Sequence, residues 1–255
     1  MWYAPCVDAS STTLEARPVI LLSTGSAGRA TVRVVDHQGT LAVLKDFSSS
    51  SAGFRRVCGA YLARREAAAY RRLRGVTGVP RLLRRVRPDG LLIEYMEGRN
   101  CVEIGGGDLA PAFFADLQSI LRDVRARGVL HGDVKRNVVC TPEGRPVLVD
   151  FAASLVLPAW LPPLPGWTAR LAERYDERAV AKLKARAAPQ LVTPEDEQLL
   201  GRTLPLERLL KLGERLLRRV THWIMRREAR SRERGIALPL HVEPSDESPE
   251  SSRAS

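Results

Sequence analysis

At 255 residues and 44% hydrophobic content, the chain can bury a sizeable core as one large domain or two unequal lobes, which excludes a wholly disordered protein. Its 40 Lys and Arg against 29 Asp and Glu leave a formal charge of +11, dominated by arginine and spread over several helices; a surface that meets phosphate, nucleic acid or anionic lipid accounts for it, and so does an arginine-rich proteome. The four cysteines, Cys6, Cys58, Cys101 and Cys140, form no CxxC pair and suggest neither a zinc site nor a disulfide framework, and no stretch approaches the roughly 18 apolar residues of a membrane span, so a reducing, cytoplasmic setting is expected.

Residues 1–16 have no periodicity and are expected to form a loosely held lead-in. Short apolar runs at 19–22, 31–35 and 41–45 then predict a small antiparallel meander, with a turn at Asp36–Gly39. Gly25 and Gly28 lie between the first two strands, where a missing Cβ serves close approach to a phosphate or simply a tight turn. Lys45 ends the third strand. The stretch 60–74 is rich in helix formers, and Glu66 is its only acidic residue, set among arginines that could pair with it along the helix. Residues 78–83 lead to a strand pair around a turn at 87–90, followed by the apolar strand 91–98 that contains Glu94 and Met96. The triplet Gly105–Gly107 lacks the lysine and hydroxyl residue of a Walker loop and reads as a flexible linker. Pro111 opens a helix to Arg127, with Phe114, Leu117, Ile120, Leu121 and Val124 at helical spacing and Gly128 at its end.

The stretch 129–154 organises the rest. Val138–Cys140 is a short strand, 141–145 is turn chemistry, and 146–149 is a second strand that delivers Asp150. This hairpin gathers Asp133, Asn137 and Asp150 at one mouth. Two carboxylates and an amide oxygen in one cleft suit phosphoryl transfer from a magnesium nucleotide, since hard divalent cations prefer oxygen ligands.

His131-Gly132-Asp133-Val134-Lys135-Arg136-Asn137, followed by Asp150-Phe151-Ala152, resembles the catalytic loop and metal-binding triplet of the protein-kinase-like superfamily, most closely its small bacterial, RIO-like and lipopolysaccharide (Kdo) or sugar-lipid kinases. Two features depart from that pattern: the Asn follows the Asp by four residues where the family usually has five, and the triplet ends in Ala. The resemblance spans about residues 19–200 and implies an α+β, two-lobed fold: an N-lobe over 17–98 with a small antiparallel sheet, and a shortened, mainly helical C-lobe over 99–200. It implies ATP and Mg²⁺ as cofactors. Gly25 and Gly28 would cover the nucleotide, Lys45 held by Glu66 would bind its phosphates, and backbone groups near Glu94 and Met96 would meet the adenine edge. Asp133 would orient or deprotonate the acceptor hydroxyl, Lys135 would neutralise the transferring group, and Asp150 with Asn137 would hold the metal. His131 would support the loop through hydrogen bonds.

Beyond Ser154, residues 160–167 read as irregular, with no APE triplet and no long activation segment, and 170–186 and 194–200 read as helices. From 204 to 234 an amphipathic helix places Leu206, Leu209, Leu210, Leu217, Val220 and Ile224 on one stripe, while ten Lys or Arg against four Glu over 205–234 give +6. The span 201–236 packs on the C-lobe or lies on an anionic membrane or nucleic-acid surface, and 237–255 is polar, acidic and expected to be disordered. The expected function is transfer of the γ-phosphoryl of Mg-ATP to a hydroxyl, on a serine or threonine of a protein or on a sugar or lipid-linked saccharide. A nucleotide-binding pseudokinase scaffold is the rival class, and a plain nucleic-acid-binding protein is disfavoured by 5% aromatic content and the lack of a readout motif. The protein is expected to be cytoplasmic, with peripheral contact at the inner membrane surface through the 204–234 helix as an option.

Overall fold

The computed structural model describes residues 18–25, 29–104, 109–158 and 166–201, with the single positions 219 and 223. Expectations for the lead-in, Gly28, the triglycine and the tail lie outside these residues, as does the 204–234 helix except at Arg219 and Trp223, which are both helical and exposed. No helix among the described residues is long and apolar enough to cross a membrane.

Five strands form one antiparallel sheet in the order β1-β2-β3-β5-β4: β1 Pro18–Ser23, β2 Thr31–His37, β3 Thr40–Asp46, β4 Leu82–Arg85 and β5 Gly90–Glu94. The β2-β3 turn is tighter than the expected span, because Gln38 and Gly39 both take positive φ, 57° and 78°, and close a two-residue hairpin with His37 opposite Thr40. Alternation along β3 sends Ala42 and Leu44 into a cluster with Val35, Val86 and Leu92 on one face of the sheet. Val43 and Lys45 therefore project from the other face, and Val43 packs there against the main core.

A helix covers that second face. It begins earlier than helix propensity implied: α1 (Ala52–Phe54) runs through a π-helical turn, Arg55–Gly59, into α2 (Ala60–Arg72). Gly53 and Gly59 mask this start, since glycine disfavours helix, but Phe54 is fully buried against Phe47 and holds the turn. Ala63, Ala67 and Tyr70 recur on the inner side of α2 and join Leu91 and Ile93 in the main core.

The second part of the chain is built around α3 (Pro111–Ala126), whose five expected apolar positions are all buried, together with Phe113. Gly128, at φ 70°, turns the chain into β7 (Val129–Leu130), which pairs with β10 (Leu155–Val156). β6 (Arg99–Asn100), β8 (Val138–Cys140) and β9 (Pro146–Leu148) form the three-stranded sheet that contains the expected hairpin. The helix α4 (Gly166–Ala187) starts four residues before the expected Arg170, so Trp167 is helical and not part of an irregular segment. α5 (Pro194–Gly201) closes the described region.

Arg125 of α3 reaches Asp176 of α4 at 2.5 Å. Asp176 is 3% exposed, and burial pushes its carboxyl up to about 6, with Arg125 pulling the other way. A carboxyl raised on folding stabilises the fold below its unfolded value and loses that contribution as pH rises through about 6. Asp176→Asn removes this titration. Between pH ~4 and ~7 the stability of the variant relative to the native chain should therefore rise, by about 3 kcal/mol, in urea melts run across that range; a difference flat in pH contradicts the assignment.

Candidate active site

Lys45, Glu66 and Asp150 come from three separate elements and meet at one ammonium. Lys45 Nζ donates to Glu66 Oε1 at 3.0 Å and to Asp150 Oδ1 at 2.6 Å. The same-helix arginine pairing open to Glu66 in the sequence is not its main partner. The side chains of Lys45 and Glu66 are 13% and 4% exposed, whereas that of Asp150 is 46% exposed, so the ion pair runs from the core to the edge of a cleft. Burial alone would lower the Lys45 ammonium; Glu66 and then Asp150 outweigh it and hold it above its ordinary value. The two carboxylates share this one cation unequally. Burial raises Glu66 despite Lys45, and the second negative charge of Asp150 adds to that rise. For Asp150 burial also opposes ionisation, but the closer contact with Lys45 lowers its carboxyl overall.

Asp150 sits in the left-handed region, at φ 60° and ψ 77°. For a residue with a Cβ this conformation costs about 1 kcal/mol or more and persists only where neighbours impose it. Here they do. The Asp150 N–H donates to the Tyr70 hydroxyl at 3.2 Å, and its Oδ1 accepts the Ala152 N–H at 3.2 Å. Phe151, fully buried, packs edge-on against Tyr70 and His131 with ring centroids 5.1 and 4.6 Å away. Residues 151–153 form a 3-10 turn, so Ala152 has an ordinary negative φ, and glycine is not required where the family pattern has it. Arg65 of α2 donates to the Ala152 carbonyl and ties the triplet to the same helix as Glu66.

His131 is 1% exposed and is a structural strut. Its Nδ1 accepts the Asp133 N–H at 3.3 Å, which leaves Nε2–H to donate to the Val149 carbonyl at 2.9 Å. Burial lowers its pKa and keeps the ring neutral, as both bonds demand. Gly132 takes φ 86°, and a Cβ there would lie 2.7 Å from the Ala153 carbonyl oxygen, so the residue after this histidine must be small. Its own carbonyl accepts the Tyr175 hydroxyl from α4 at 2.5 Å.

The four-residue spacing is absorbed by a 3-10 turn over Val134–Arg136. Asn137 closes it: its N–H donates to the Val134 carbonyl at 3.0 Å and its Nδ2 to the Asp133 carbonyl at 2.8 Å. The Asn137 carbonyl in turn accepts the Val149 N–H at 2.9 Å, which brings Asn137 beside the residue that precedes Asp150. Asp133, Asn137 and Asp150 thus share one mouth of the β8-β9 hairpin. Among the described residues both hydrogen bonds to the Asp150 carboxylate fall on Oδ1 and the Asn137 amide is engaged through nitrogen, so Asp150 Oδ2 and Asn137 Oδ1 have no donor there. Two such oxygens suit Mg²⁺, which keeps several waters and takes one or two protein oxygens alongside phosphate. Among the described residues no group of three or more His, Cys, Asp or Glu is arranged to hold a metal by itself. Asp133 is half-buried, its carboxylate makes no hydrogen bond to the described residues, and Lys135 is exposed on the turn that follows.

The remaining expected positions are less central. Gly25 donates its N–H to Thr31 Oγ1 at 3.2 Å, and a Cβ there would fall 2.2 Å from Ser49 Oγ, so packing already accounts for this glycine. Glu94 has its N–H on the Arg81 carbonyl at 2.9 Å and its carboxylate on the Arg81 guanidinium, which leaves only its carbonyl for a nucleotide. Met96 is half-buried just past β5, and its backbone makes no hydrogen bond to the described residues. Sequence reasoning missed Tyr70, Arg65 and Tyr175. Tyr70 was discoverable, lying four residues beyond Glu66 on the same helix face; Tyr175 carries no local signal.

The chain has the protein-kinase-like fold. It superposes on the Rio2 kinase of Chaetomium thermophilum with a TM-score of 0.51 at 15% identity, over 71% of this chain and 63% of that one. A second structure of that kinase, a complex with ADP, Mg²⁺ and phosphoaspartate, gives a TM-score of 0.52 at 15% identity, over 84% and 72%. This chain therefore spans less than two thirds of the first of these structures. No protein-family model and no curated protein matches the sequence.

Tyr70→Phe removes the acceptor of the Asp150 N–H and should cost about 1 kcal/mol in urea unfolding. His131→Ala empties a buried ring position and orphans the Asp133 N–H, and should cost about 3 kcal/mol. Equal, negligible losses in both variants would contradict the role given to this network.

Proposed function

We propose that the protein transfers the γ-phosphoryl of Mg-ATP to a hydroxyl, with a serine or threonine of a protein as the acceptor. The observation that carries this reading is the Lys45 ammonium bound to both Glu66 and Asp150, with Asp133 at the same hairpin mouth. A buried cation anchored by one carboxylate and shared with a second, more exposed one is placed to receive phosphate oxygens at the cleft edge.

In this reading Glu66 fixes Lys45, and Lys45 binds the nucleotide phosphates. Asp150 and Asn137 are the residues that would hold Mg²⁺, which when bound would neutralise phosphate charge. Asp133 orients the acceptor hydroxyl and takes its proton as the phosphorus–oxygen bond to ADP breaks and the new one forms. Lys135, exposed two residues on, meets the charge on the transferred group. The backbone at Met96 offers its free groups to the adenine edge. Support from known structures is at the level of fold: the Rio2 kinase is a protein with this architecture that holds ADP and Mg²⁺.

Transfer from γ-labelled ATP tests the reading. The native chain with Mg²⁺ should label a generic protein acceptor, and Asp133→Ala should reduce the rate at least ~100-fold while Mg-ATP still binds. Asp150→Asn should abolish the dependence on Mg²⁺ together with turnover. Label confined to a glycolipid extract would move the acceptor to a saccharide hydroxyl. Label on the protein itself that hydroxylamine removes would mark an acyl phosphate, as in the phosphoaspartate of the Rio2 complex, and would contradict a hydroxyl acceptor. Nucleotide binding without any transfer would leave a scaffold.

A further inference from the structure

Among the described residues, positive charge gathers in one span. Residues 52–88 contain eleven arginines, no lysine and one acidic residue, a net of +10, beside the +6 of residues 205–234. Residues 89–201 contain 16 acidic and 13 basic residues, a net of −3. The one acid in the arginine span, Glu66, is buried on Lys45 and screens none of it. Six of the eleven arginines are engaged by carboxylates or backbone carbonyls. Arg56, Arg64, Arg71, Arg74 and Arg84 are exposed and have no carboxylate partner among the described residues.

Three of these five, Arg56, Arg64 and Arg71, lie along the α1-α2 helical run, spaced over about 22 Å at 1.5 Å per residue, and Arg74 follows in the turn just past its end. The same outer face exposes two apolar side chains, Val57 at 64% and Tyr61 at 58%, one helical turn apart and leading into Arg64. A row of like charges with no counter-charge repels itself and is costly to hold unless an anionic partner meets it. The apolar pair selects among such partners. A phosphodiester backbone has nothing apolar to offer Val57 and Tyr61, whereas the acyl boundary of a bilayer receives apolar groups while its headgroups meet arginines.

We propose that the outer face of α1-α2 is a docking surface for an anionic lipid bilayer, with Val57 and Tyr61 entering the interface and Arg56, Arg64, Arg71 and Arg74 on the headgroups. This assigns membrane contact to the sheet-bearing part of the chain and not to the 204–234 helix alone, and it stands whether or not the phosphotransfer reading holds. α2 is also the helix that carries Glu66, so the docked face and the Lys45 anchor are opposite sides of one element.

The test is cosedimentation of the full chain with phosphatidylcholine vesicles, with and without phosphatidylglycerol, over a range of salt. Binding should require phosphatidylglycerol and weaken with salt. Arg64→Gln with Arg71→Gln should reduce partitioning about 25-fold, at about 5-fold per arginine, and Val57→Asn with Tyr61→Asn should reduce it at unchanged salt dependence. All four positions are exposed, and circular dichroism melts of the variants should match that of the native chain. Loss in both variants supports the proposal. Binding that neither variant changes would assign the contact to the 204–234 helix and overturn it, as would absence of vesicle binding, or binding of a single-stranded RNA oligonucleotide in its place.

Discussion

Everything in the cleft depends on one ammonium shared by two carboxylates. Lys45 lies nearly out of water, where an ammonium stays charged only with a partner, and Glu66 is buried more deeply still. Removing either leaves the other as an uncompensated buried charge, at a cost of about 3–5 kcal/mol. The pair therefore fixes the height of α2 on the sheet. Asp150 then completes the set from the far side of the cleft, so that a single cation joins β3, α2 and the end of the β8-β9 hairpin. Two carboxylates on one cation is an arrangement that leaves negative charge in excess at the cleft edge, which is what a divalent cation and its phosphate ligands would neutralise.

Around this ionic centre the backbone is held by neutral contacts. His131 clamps the loop before Asp133 to the residue before Asp150, and Tyr70 and Arg65 clamp the triplet to α2. Both departures from the family pattern have local explanations. The shortened spacing is taken up by a 3-10 turn whose closing residue, Asn137, keeps its amide nitrogen on the Asp133 carbonyl and its oxygen clear of donors among the described residues. The alanine of the triplet lies in a turn that uses ordinary φ, and the unusual conformation falls on Asp150, whose side chain and N–H are both tied down.

Much of this was legible in the sequence because it follows from short-range pattern. Period-two runs marked the meander, helical spacing marked α3, and the loop and triplet residues marked the candidate site by type and order. Three kinds of information were not local. The start at α1 was hidden by Gly53 and Gly59, whose low helix propensity is overridden by the burial of Phe54. Glu66 had several arginines at helical spacing, and only the packing of α2 on the sheet selects Lys45 over them. Tyr175 reaches Gly132 across 43 residues, and the carbonyl of Glu94, not its amide, is left for a ligand because Arg81 returns along β4 to occupy the rest.

The measurement that bears most directly on this account is a double-mutant cycle on Mg-ATP affinity, by calorimetry, with Lys45→Met, Glu66→Gln and the pair. If Glu66 acts by holding Lys45, its substitution weakens binding in the native background and has no further effect once Lys45 is methionine, giving a coupling of about 1 kcal/mol or more. Additive losses would mean that the two residues act independently on the nucleotide, and affinity unchanged in all three variants would place the nucleotide away from this ammonium altogether.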